Sequence, residues 1–353
     1  MTTSADSQNS VAWLTAPGAP LVIKNGGVPV PGADEIVIEN KAVAINPIDS
    51  IIGKSGFLVK EFPVILGMDS AGVVVSVGAD AAADFKPGDR VFALTESIFS
   101  PNQDKGGFQK YSAARTLTVG KLPDGVSFVE GSTFPLGALT AAIGLFHSKH
   151  LALELPQVPK ATSSETSKGK TVLVWGGASS VGANAIQMAV AAGYRVVSTA
   201  SEKNFDVVRS LGAEQVLDYH QSSIVPDAIS ALSGSDFVGT FLAAASGDSF
   251  QQAAEITKAV KGVGHVVSAP LYPKDFSADV ELSWTNLGID NYSDETRKLA
   301  SHLFGHFLPR ALEAQAIRVI PAPRVVGTGV DKFQDALDAI AAGVSASKLV
   351  VEL

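Results

Sequence analysis

Short apolar runs separated by polar turns fill the first part of the chain. The predicted strands of this region are Pro20–Ile23, Glu35–Ala44, Ala71–Val77 and Arg90–Leu94. Turns rich in Pro, Gly and Asp, such as PGAD and KPGD, lie between them, and residues of this kind interrupt strands because of their backbone preferences. The pattern therefore predicts an all-β region over roughly the first 130 residues.

The pattern changes near residue 135. Thr133–Phe146 is rich in Ala, Leu and Gly, which predicts a helix, and from Thr171 onward apolar strands alternate with helices. Such alternation is typical of parallel βαβ units. The predicted strands and helices of this part are Thr171–Trp175, Val181–Ala192, Arg195–Thr199, Asn204–Leu211, Gln215–Leu217, Phe237–Leu242, Ser249–Val260 and His265–Ser268.

The last residues predict a helix, Asp331–Ala342, and a final strand, Lys348–Glu352, that returns to the β-rich region. We therefore expect two domains: a nucleotide-binding domain of residues 136–309, and a catalytic domain assembled from residues 1–135 and 310–353. The segment Pro156–Lys170 is rich in Pro, Ser, Thr and Lys without periodicity, which predicts an exposed loop.

Composition narrows the classes of function. The 353 residues carry a formal charge of −8, with 46% hydrophobic and 18% charged residues, which argues against disorder and against a nucleic-acid partner. The absence of cysteine excludes disulfides, thiolate catalysis and zinc sites with cysteine ligands. The first residues contain no basic or apolar leader, and no apolar stretch is long enough to span a membrane, so we expect a cytoplasmic protein.

The strongest local signal is the stretch VLVWGGASSVGANAIQMAVAAGYRVVSTAS. A buried strand leads into a Gly-rich turn, Gly176 to Gly182, followed by a helix and a second strand, the order of a dinucleotide-binding βαβ unit. Ser179 occupies the middle glycine position of GxGxxG. Hydroxyl and N–H groups at this helix start would bind phosphates, and the predicted contacts are Ala178, Ser179, Ser180 and Val181. The alternative is a tight strand–helix turn that binds nothing.

Ala200, at the end of the second strand, indicates which cofactor binds. NAD enzymes place Asp or Glu there to accept from the ribose 2′-hydroxyl, and a carboxylate would repel the 2′-phosphate of NADPH. The donors behind Ala200 favour NADPH, and they are Ser201, Lys203 and Asn204. Glu202 is the competing observation, because its distance from the Gly-rich turn also suits a ribose acceptor, and the alternative for Lys203 is a solvated side chain. Tyr219 is expected to border the phosphate of the adenine ribose.

Several further motifs together carry a family resemblance. They are EIVIENKAVAINPID at Glu35–Asp49, LGMDSAGVVVSVG at Leu66–Gly78, KPGDRVF, GGFQKY and the terminal SASKLVVEL. With the GGASSVG unit they resemble the medium-chain dehydrogenase/reductase superfamily over nearly the whole chain. The resemblance implies an α/β protein with a GroES-like β-rich catalytic domain, a Rossmann doubly wound parallel-sheet domain, and an active site in the cleft between them. Further predicted cofactor contacts are Ile48, Asp49, Ala269, Pro270 and Ser345.

The same resemblance implies that the zinc ligands are missing. Zinc-dependent members carry Cys, His and Cys at the positions that align with Asn46, Met68 and Leu136. Amide, thioether and aliphatic side chains do not form a zinc site, so we predict a metal-independent enzyme. Two histidine pairs lack the Glu of HExxH and are interpreted as surface or packing histidines, namely His147/His150 and His302/His306.

Among zinc-free members, the chain is most similar to quinone-reductase-type enzymes and to the trans-acting enoyl reductases of fungal polyketide synthases. AINPID, ASEKNFD and SWTNLG at Ser283–Gly288 carry this similarity. It implies NADPH-dependent hydride transfer to the β-carbon of an α,β-unsaturated carbonyl, free or as an enoyl thioester, with a polyketide synthase carrier domain as a candidate partner. We expect a monomer or a homodimer. The alternatives are a quinone or enone oxidoreductase of detoxification type and an NADPH-binding protein without catalysis.

Thr140 is the candidate catalytic residue. Negative charge develops on the substrate carbonyl oxygen during conjugate reduction, and Thr140 would donate a hydrogen bond to it. The alternative for Thr140 is a helix cap. Asp49 is expected to be a structural acceptor that orders the cleft turn, with Asn46 bracing the same loop. The residues predicted to line the substrate cleft are Phe57, Phe146, Trp284 and Leu287.

Overall fold

The computed structural model describes residues 8–97, 100, 103–159, 167–262, 264–273, 276, 279–285 and 293–353. In this part of the chain the strands form a small antiparallel sheet, a larger mixed sheet and a parallel sheet. The small sheet contains β1 (Asn9–Leu14), β2 (Val22–Gly26) and β4 (Val64–Ile65). Strand β1 lies in its centre and pairs with both neighbours.

The larger sheet is built from both ends of the chain. Its strands are β3 (Glu35–Ala44), β5 (Asp69–Val77), β6 (Arg90–Leu94), β7 (Tyr111–Arg115), β8 (Val119–Lys121), β15 (Ala322–Thr328) and β16 (Ser347–Glu352). They lie in the order β15-β16-β3-β5-β6-β8, and β7 pairs with β3. Strand β16 runs antiparallel to β3, with Val350 opposite Ala44. The final strand therefore lies beside strands from the start of the chain, while the exact domain boundaries stay predictions.

A helix interrupts the region that the pattern predicts as all-β. Helix α1 (Pro47–Ser55) has Asn46 as its N-cap, and the Asp49 carboxylate accepts the Asn46 backbone N–H at 2.8 Å. Pro at the first helical position and an acidic residue two positions later are helix-start signals. Gly56 ends the helix with a φ of 70°. The all-β expectation is wrong here because capping residues, rather than a long periodic pattern, define this short helix.

Helix α3 (Pro135–Phe146) follows the short helix α2 (Phe128–Gly131), and every residue of α3 is buried. The stretch Phe128–Phe146 is long and apolar enough to cross a membrane, but most of it is buried inside the protein, as in a core helix. Close packing of α3 requires glycine. A Cβ on Gly144 would lie 2.2 Å from the Phe241 ring, and one on Gly137 would lie 2.6 Å from Ser180 Oγ.

The parallel sheet follows α3. Its strands are β9 (Lys170–Trp175), β10 (Arg195–Ala200), β11 (Gln215–Asp218), β12 (Asp236–Leu242), β13 (His265–Ser268) and β14 (Glu281–Trp284). The connecting helices are α4 (Ser180–Ala191), α5 (Phe205–Ser210), α6 (Ile224–Leu232) and α7 (Ser249–Lys261). The order β11-β10-β9-β12-β13-β14 is that of a doubly wound Rossmann sheet. The strand order reverses between β9 and β12, which is where such sheets bind ligands at their carboxyl ends.

The last helices connect the parallel sheet to the mixed sheet. They are α8 (Asp294–His302), a π-helical turn (Leu303–Phe307), α9 (Leu308–Glu313) and α10 (Lys332–Ala341). Phe304 in the π-helical turn is fully buried, with its ring centroid 6.1 Å from that of Phe92 in β6. Phe108 stacks on Phe333 of α10 at 4.2 Å. One hydrophobic core therefore extends across both parts of the fold.

Candidate active site

The loop between β9 and α4 can only be built with glycine at its tightest points. Gly176 has a φ of 82°, a conformation that favours glycine. A Cβ on Gly182 would lie 2.3 Å from the Gly176 carbonyl oxygen, and one on Gly177 would lie 2.3 Å from Ser198 Oγ. The strand, the turn and the helix are therefore packed as closely as a dinucleotide-binding loop requires.

The two serines of this loop do different things. Ser179 is the N-cap of α4, and its hydroxyl accepts the Gly182 N–H at 3.0 Å while donating to the Gly176 carbonyl at 2.8 Å. Its hydroxyl is thus engaged within the loop. The buried Ser180 Oγ, in contrast, has no hydrogen-bond partner among the described residues. An unpartnered hydroxyl at a helix N-terminus, where backbone N–H groups favour anions, fits a phosphate oxygen.

The residues predicted to read the adenine ribose lie at the ends of neighbouring strands. Ser201 follows β10 and Tyr219 follows β11, and their hydroxyl oxygens are 2.9 Å apart. Glu202, Lys203 and Asn204 form a 3₁₀ turn behind Ser201, in which the Glu202 and Lys203 side chains are exposed. The parallel pairing of β10 with β11 brings these residues to one edge of the sheet.

Sequence reasoning missed the loop that follows β12. A Cβ on Gly176 would lie 2.9 Å from the Ala244 Cβ, so Ala244 forms the opposite wall of the crevice between β9 and β12. A run of alanines carries no chemical signal, and only the strand order identifies it.

The predicted contacts Ala269 and Pro270 lie in the loop that follows β13. The Ala269 carbonyl accepts the indole N–H of Trp284 at 3.0 Å, and the Pro270 carbonyl accepts the Ser268 hydroxyl at 2.6 Å.

A buried polar cluster lies between the mixed sheet and α3. We call it the Asp69 cluster, and it consists of Asn46, Asp49, Asp69 and Lys348 with the Leu136 N–H. Asp69 Oδ1 accepts the Leu136 N–H at 2.6 Å, and Asp69 Oδ2 accepts from Asn46 Nδ2 at 2.8 Å and from Lys348 Nζ at 2.9 Å. Lys348 Nζ also donates to Asn46 Oδ1. The motif residues Asp69 and Lys348 were not singled out from the sequence, although a lysine inside the apolar strand KLVVEL was an available signal.

Asp49 has the structural role that the sequence predicts. It is fully buried, and its carboxylate accepts the Asn46 N–H at 2.8 Å and the Gly67 N–H at 3.2 Å. Burial above all, together with the negative charge of Asp69, raises the pKa of Asp49 to about 7, against the opposing effects of its backbone hydrogen bonds and of Lys348. Asp49 therefore titrates close to neutral pH. Its contact with the cofactor stays a prediction.

Thr140 lies in the second turn of α3, so its interpretation as a helix cap is wrong, since Phe134 is the N-cap. The residue is buried, and its hydroxyl donates to the Leu136 carbonyl at 2.7 Å. This hydrogen bond occupies the hydroxyl hydrogen, so donation to a substrate requires rotation of the side chain. The catalytic role of Thr140 stays a prediction.

The remaining predicted site residues lie on separate elements. Ile48 is a partly buried residue of α1, and Phe57 follows that helix half-buried. Phe146 ends α3 and belongs to the main hydrophobic core, while Trp284 ends β14. Ser345 is exposed just before β16. Leu287, the last candidate of the substrate cleft, lies outside the described residues.

The residues that align with zinc ligands are engaged in hydrogen bonds or in apolar packing. Asn46 is bound to Asp69 and Lys348, and Met68 and Leu136 are buried apolar side chains. No group of three or more His, Asp or Glu side chains placed to hold a metal occurs in the described part of the chain. Independence of zinc stays a prediction that rests on the chemistry of these side chains.

The histidines make packing contacts. His150 Nδ1 and His265 Nε2 each lie 2.7 Å from the Ser283 hydroxyl, and His302 Nε2 lies 3.1 Å from the Pro156 carbonyl. Burial lowers the pKa of His150 to about 4, and the neighbouring His147 and His265 lower it as well. These contacts agree with the interpretation of the pairs as packing histidines.

Comparisons with known proteins match both parts of the fold. Residues 32–124 match the family model "Alcohol dehydrogenase GroES-like domain", and residues 180–296 match "Zinc-binding dehydrogenase". The chain is 36% identical to dehydrogenase pigH of Monascus ruber over 98% of this chain and 99% of that protein. It is 34% identical to trans-enoyl reductase himH of Aspergillus japonicus over 90% of each. An alcohol dehydrogenase superfamily protein from Novosphingobium aromaticivorans shares the fold, with a TM-score of 0.79, 24% identity and coverage of 98% and 99%.

A glycine-rich loop at the switch point of a doubly wound sheet, joined to a GroES-like domain, defines an oxidoreductase with a nicotinamide dinucleotide cofactor. The chain belongs to the medium-chain dehydrogenase/reductase superfamily. The fold class and the family that the sequence motifs predict are therefore confirmed.

Proposed function

We propose that this protein is a zinc-independent, NADPH-dependent enoyl reductase that acts in trans in polyketide or other secondary metabolism. It transfers hydride to the β-carbon of an α,β-unsaturated carbonyl. Similarity to relatives named trans-enoyl reductase, himH at 34% identity and tndF of Aspergillus flavipes at 33%, supports this substrate class. The protein is proposed to be cytoplasmic and to take small-molecule or carrier-bound substrates.

The residues present fit the cofactor. Ser180 offers an unpartnered hydroxyl at the start of α4, and the glycines of the loop leave room for a pyrophosphate. The Ser201–Tyr219 hydroxyl pair and the exposed Lys203 supply donors for a 2′-phosphate, while Ala200 adds no repelling carboxylate. When bound, NADPH supplies the hydride, and the protein binds and orients the reactants.

The choice of reaction rests on the residues at the positions of the zinc ligands, which are Asn46, Met68 and Leu136. Alcohol oxidation in zinc dehydrogenases depends on a metal that lowers the pKa of the alcohol, and neither Asn46, tied to Asp69 and Lys348, nor Met68 or Leu136 supplies a ligand set. Conjugate reduction places negative charge on a more distant carbonyl oxygen, where hydrogen-bond donors suffice. Thr140, after rotation of its hydroxyl away from the Leu136 carbonyl, is the proposed donor.

Steady-state oxidation of NADPH tests the reaction. The acceptors are enoyl thioesters of small thiols, simple enones and quinones, and the reverse assay offers primary and secondary alcohols with NADP⁺. We expect turnover with enoyl thioesters above all, no alcohol oxidation, and no effect of a chelator. Preference for quinones would identify a detoxification-type reductase, and binding of NADPH without turnover of any acceptor would identify a non-catalytic protein. Stoichiometric zinc in active, untagged protein would contradict metal independence.

Substitution of Lys203 tests the choice of cofactor. One charge-assisted hydrogen bond is worth about 1.5–3 kcal/mol, so Lys203→Ala should weaken NADPH binding by roughly 10- to 150-fold and leave NADH binding almost unchanged. Dissociation constants from fluorescence titration measure both. Lys298→Ala, at an exposed lysine of α8, is the control and should change neither. Equal weakening of both cofactors would show that Lys203 acts through folding.

A further inference from the structure

Asp69 connects four segments that are far apart along the chain. It begins β5, and its carboxylate accepts from Asn46 at the start of α1, from Leu136 at the start of α3 and from Lys348 in β16. Asp69 and Lys348 are separated by 279 residues. The side chains of both are almost completely buried, with 0% and 5% exposed. This carboxylate therefore joins the mixed sheet to the helix that carries Thr140.

Leu136 is the link between Asp69 and Thr140. The first N–H groups of a helix have no partner within the helix, and Asp69 accepts one of them, the Leu136 N–H, at 2.6 Å. The carbonyl of the same residue accepts the Thr140 hydroxyl at 2.7 Å. A shift of the first turn of α3 would therefore move both the Thr140 side chain and the acceptor that holds its hydroxyl.

We propose that Lys348 and Asp69 are positioning residues for the reaction, acting through Leu136 on Thr140. This inference rests on the proposed function, in which Thr140 donates to the substrate. Lys348 orients the Asp69 carboxylate, Asp69 holds the start of α3 against the mixed sheet, and Thr140 is thereby held at a defined depth in the cleft.

Lys348 is needed because it is the counter-ion of the buried Asp69 carboxylate. Asp49 and Asp69 are both fully buried, and Lys348 is the cation that contacts Asp69. Without it, the buried Asp69 carboxylate would lack its counter-ion and would shift its position or draw in water. A displaced Asp69 carboxylate no longer accepts the Leu136 N–H in the same geometry, so the start of α3 would move.

Kinetics of single variants form the first part of the test. Lys348→Met and Asp69→Asn should each lower kcat for the best enoyl acceptor by about 10- to 100-fold, because small displacements of a catalytic group have effects of this size. The dissociation constant of NADPH should change less than about 3-fold. Lys348→Arg retains a cation and donors and should stay within about 5-fold of the wild-type kcat. A loss confined to NADPH affinity would overturn the proposal, because Lys348 would then be a cofactor contact.

A double-mutant cycle separates positioning from general destabilisation. In a Thr140→Val background, Lys348→Met should lower kcat by less than about 3-fold, because the group that it positions is already absent. If the fold-losses in kcat of Thr140→Val and Lys348→Met multiply in the double variant, the proposal would be overturned. Lys105→Met is the matched control, since Lys105 is a second lysine buried between carboxylates, 7% exposed, and its ion pairs are with Glu35 and Glu96. It should destabilise the protein and leave kcat per folded molecule unchanged.

Hydrogen exchange measured by mass spectrometry gives a result that needs no substrate. Peptides that cover residues 133–146 should exchange at least about 10-fold faster in Lys348→Met than in the wild type, and at the wild-type rate in Lys105→Met. Unchanged exchange in Lys348→Met would overturn the positioning of α3. If the wild type reduces no acceptor, the proposed function fails, and the exchange result still decides whether Lys348 holds α3.

Discussion

Two buried clusters of charged side chains in the mixed sheet differ in their ratio of carboxylates to cations. The Lys105 cluster, formed by Glu35, Glu96, Lys105 and Arg115, pairs two carboxylates with two cations. Lys105 Nζ lies 2.6 Å from Glu35 and 2.9 Å from Glu96, and Arg115 Nε lies 2.9 Å from Glu96. The Asp69 cluster sets two carboxylates against the single cation Lys348.

This difference in the ratio of carboxylates to cations is accompanied by opposite pKa shifts of Glu35 and Asp49. Burial alone would raise the pKa of Glu35, but its hydrogen bonds from Lys105 and the Gly32 N–H bring that pKa below its usual value. In the Asp69 cluster, burial and the charge of Asp69 raise the pKa of Asp49 to about 7. The cations of the Lys105 cluster therefore favour the ionised form of Glu35. The unbalanced cluster, next to α3, changes charge near neutral pH.

Removal of a charge from the balanced cluster should have the largest effect on stability. Glu96→Gln leaves Lys105 and Arg115 facing a neutral amide, and loss of one partner of a buried ion pair costs about 3–5 kcal/mol. The free energy of unfolding from urea denaturation at pH 7.5 measures this loss. Activity per folded molecule should stay within about 2-fold of the wild type. A larger loss of activity at unchanged stability would mean that the Lys105 cluster also serves the site.

The unbalanced cluster should make stability depend on pH. Between its ordinary pKa of 3.8 and about 7, Asp49 binds a proton in the folded protein and not in the unfolded chain, so stability falls as the pH rises through this range. The span corresponds to at most about 4 kcal/mol, and we expect roughly 2–3 kcal/mol. His150, with its pKa lowered to about 4, contributes a slope of opposite sign below pH 6.5.

The informative measurement is therefore the difference between the wild type and Asp49→Asn. The free energy of unfolding is determined for both proteins at intervals from pH 4 to 8. The amide side chain that replaces Asp49 in the variant cannot ionise. The free energy of unfolding of the variant should therefore lack the decrease with rising pH that Asp49 causes, while it retains the contribution of His150. Parallel pH profiles of the two proteins would show that folding does not raise the pKa of Asp49.

An exposed ion pair should show the smallest effect. Arg195 and Glu214 lie 2.7 Å apart, and the side chain of each is 50% exposed. Glu214→Ala should cost less than about 1 kcal/mol, and the loss should shrink as NaCl is added, because solvent screens exposed charges. The losses in Glu96→Gln should hardly respond to salt. A larger loss of unfolding free energy in Glu214→Ala than in Glu96→Gln would contradict this comparison.

Local patterns predicted many elements accurately. Strands β3 and β6 agree with their predicted bounds, and α4 differs by one residue at each end. The Gly-rich loop was identified because its chemistry is continuous in the sequence. The prediction failed at α1, where capping residues outweigh periodicity. The helix-cap alternative for Thr140 also failed, because α3 begins at Pro135 and places Thr140 in its second turn.

By itself, the sequence determined the doubly wound unit, the glycine-dependent loop and the family, since each depends on residues close together in the chain. Tertiary structure alone decided which partners the buried groups have. Lys348 meets Asp69 across 279 residues, Ser201 meets Tyr219 through the pairing of β10 with β11, and Ala244 faces Gly176 because β12 lies beside β9. The physical reason is that local propensity acts over a few residues, whereas a buried charge or hydroxyl is satisfied by whichever side chain the packing of strands brings within about 3 Å.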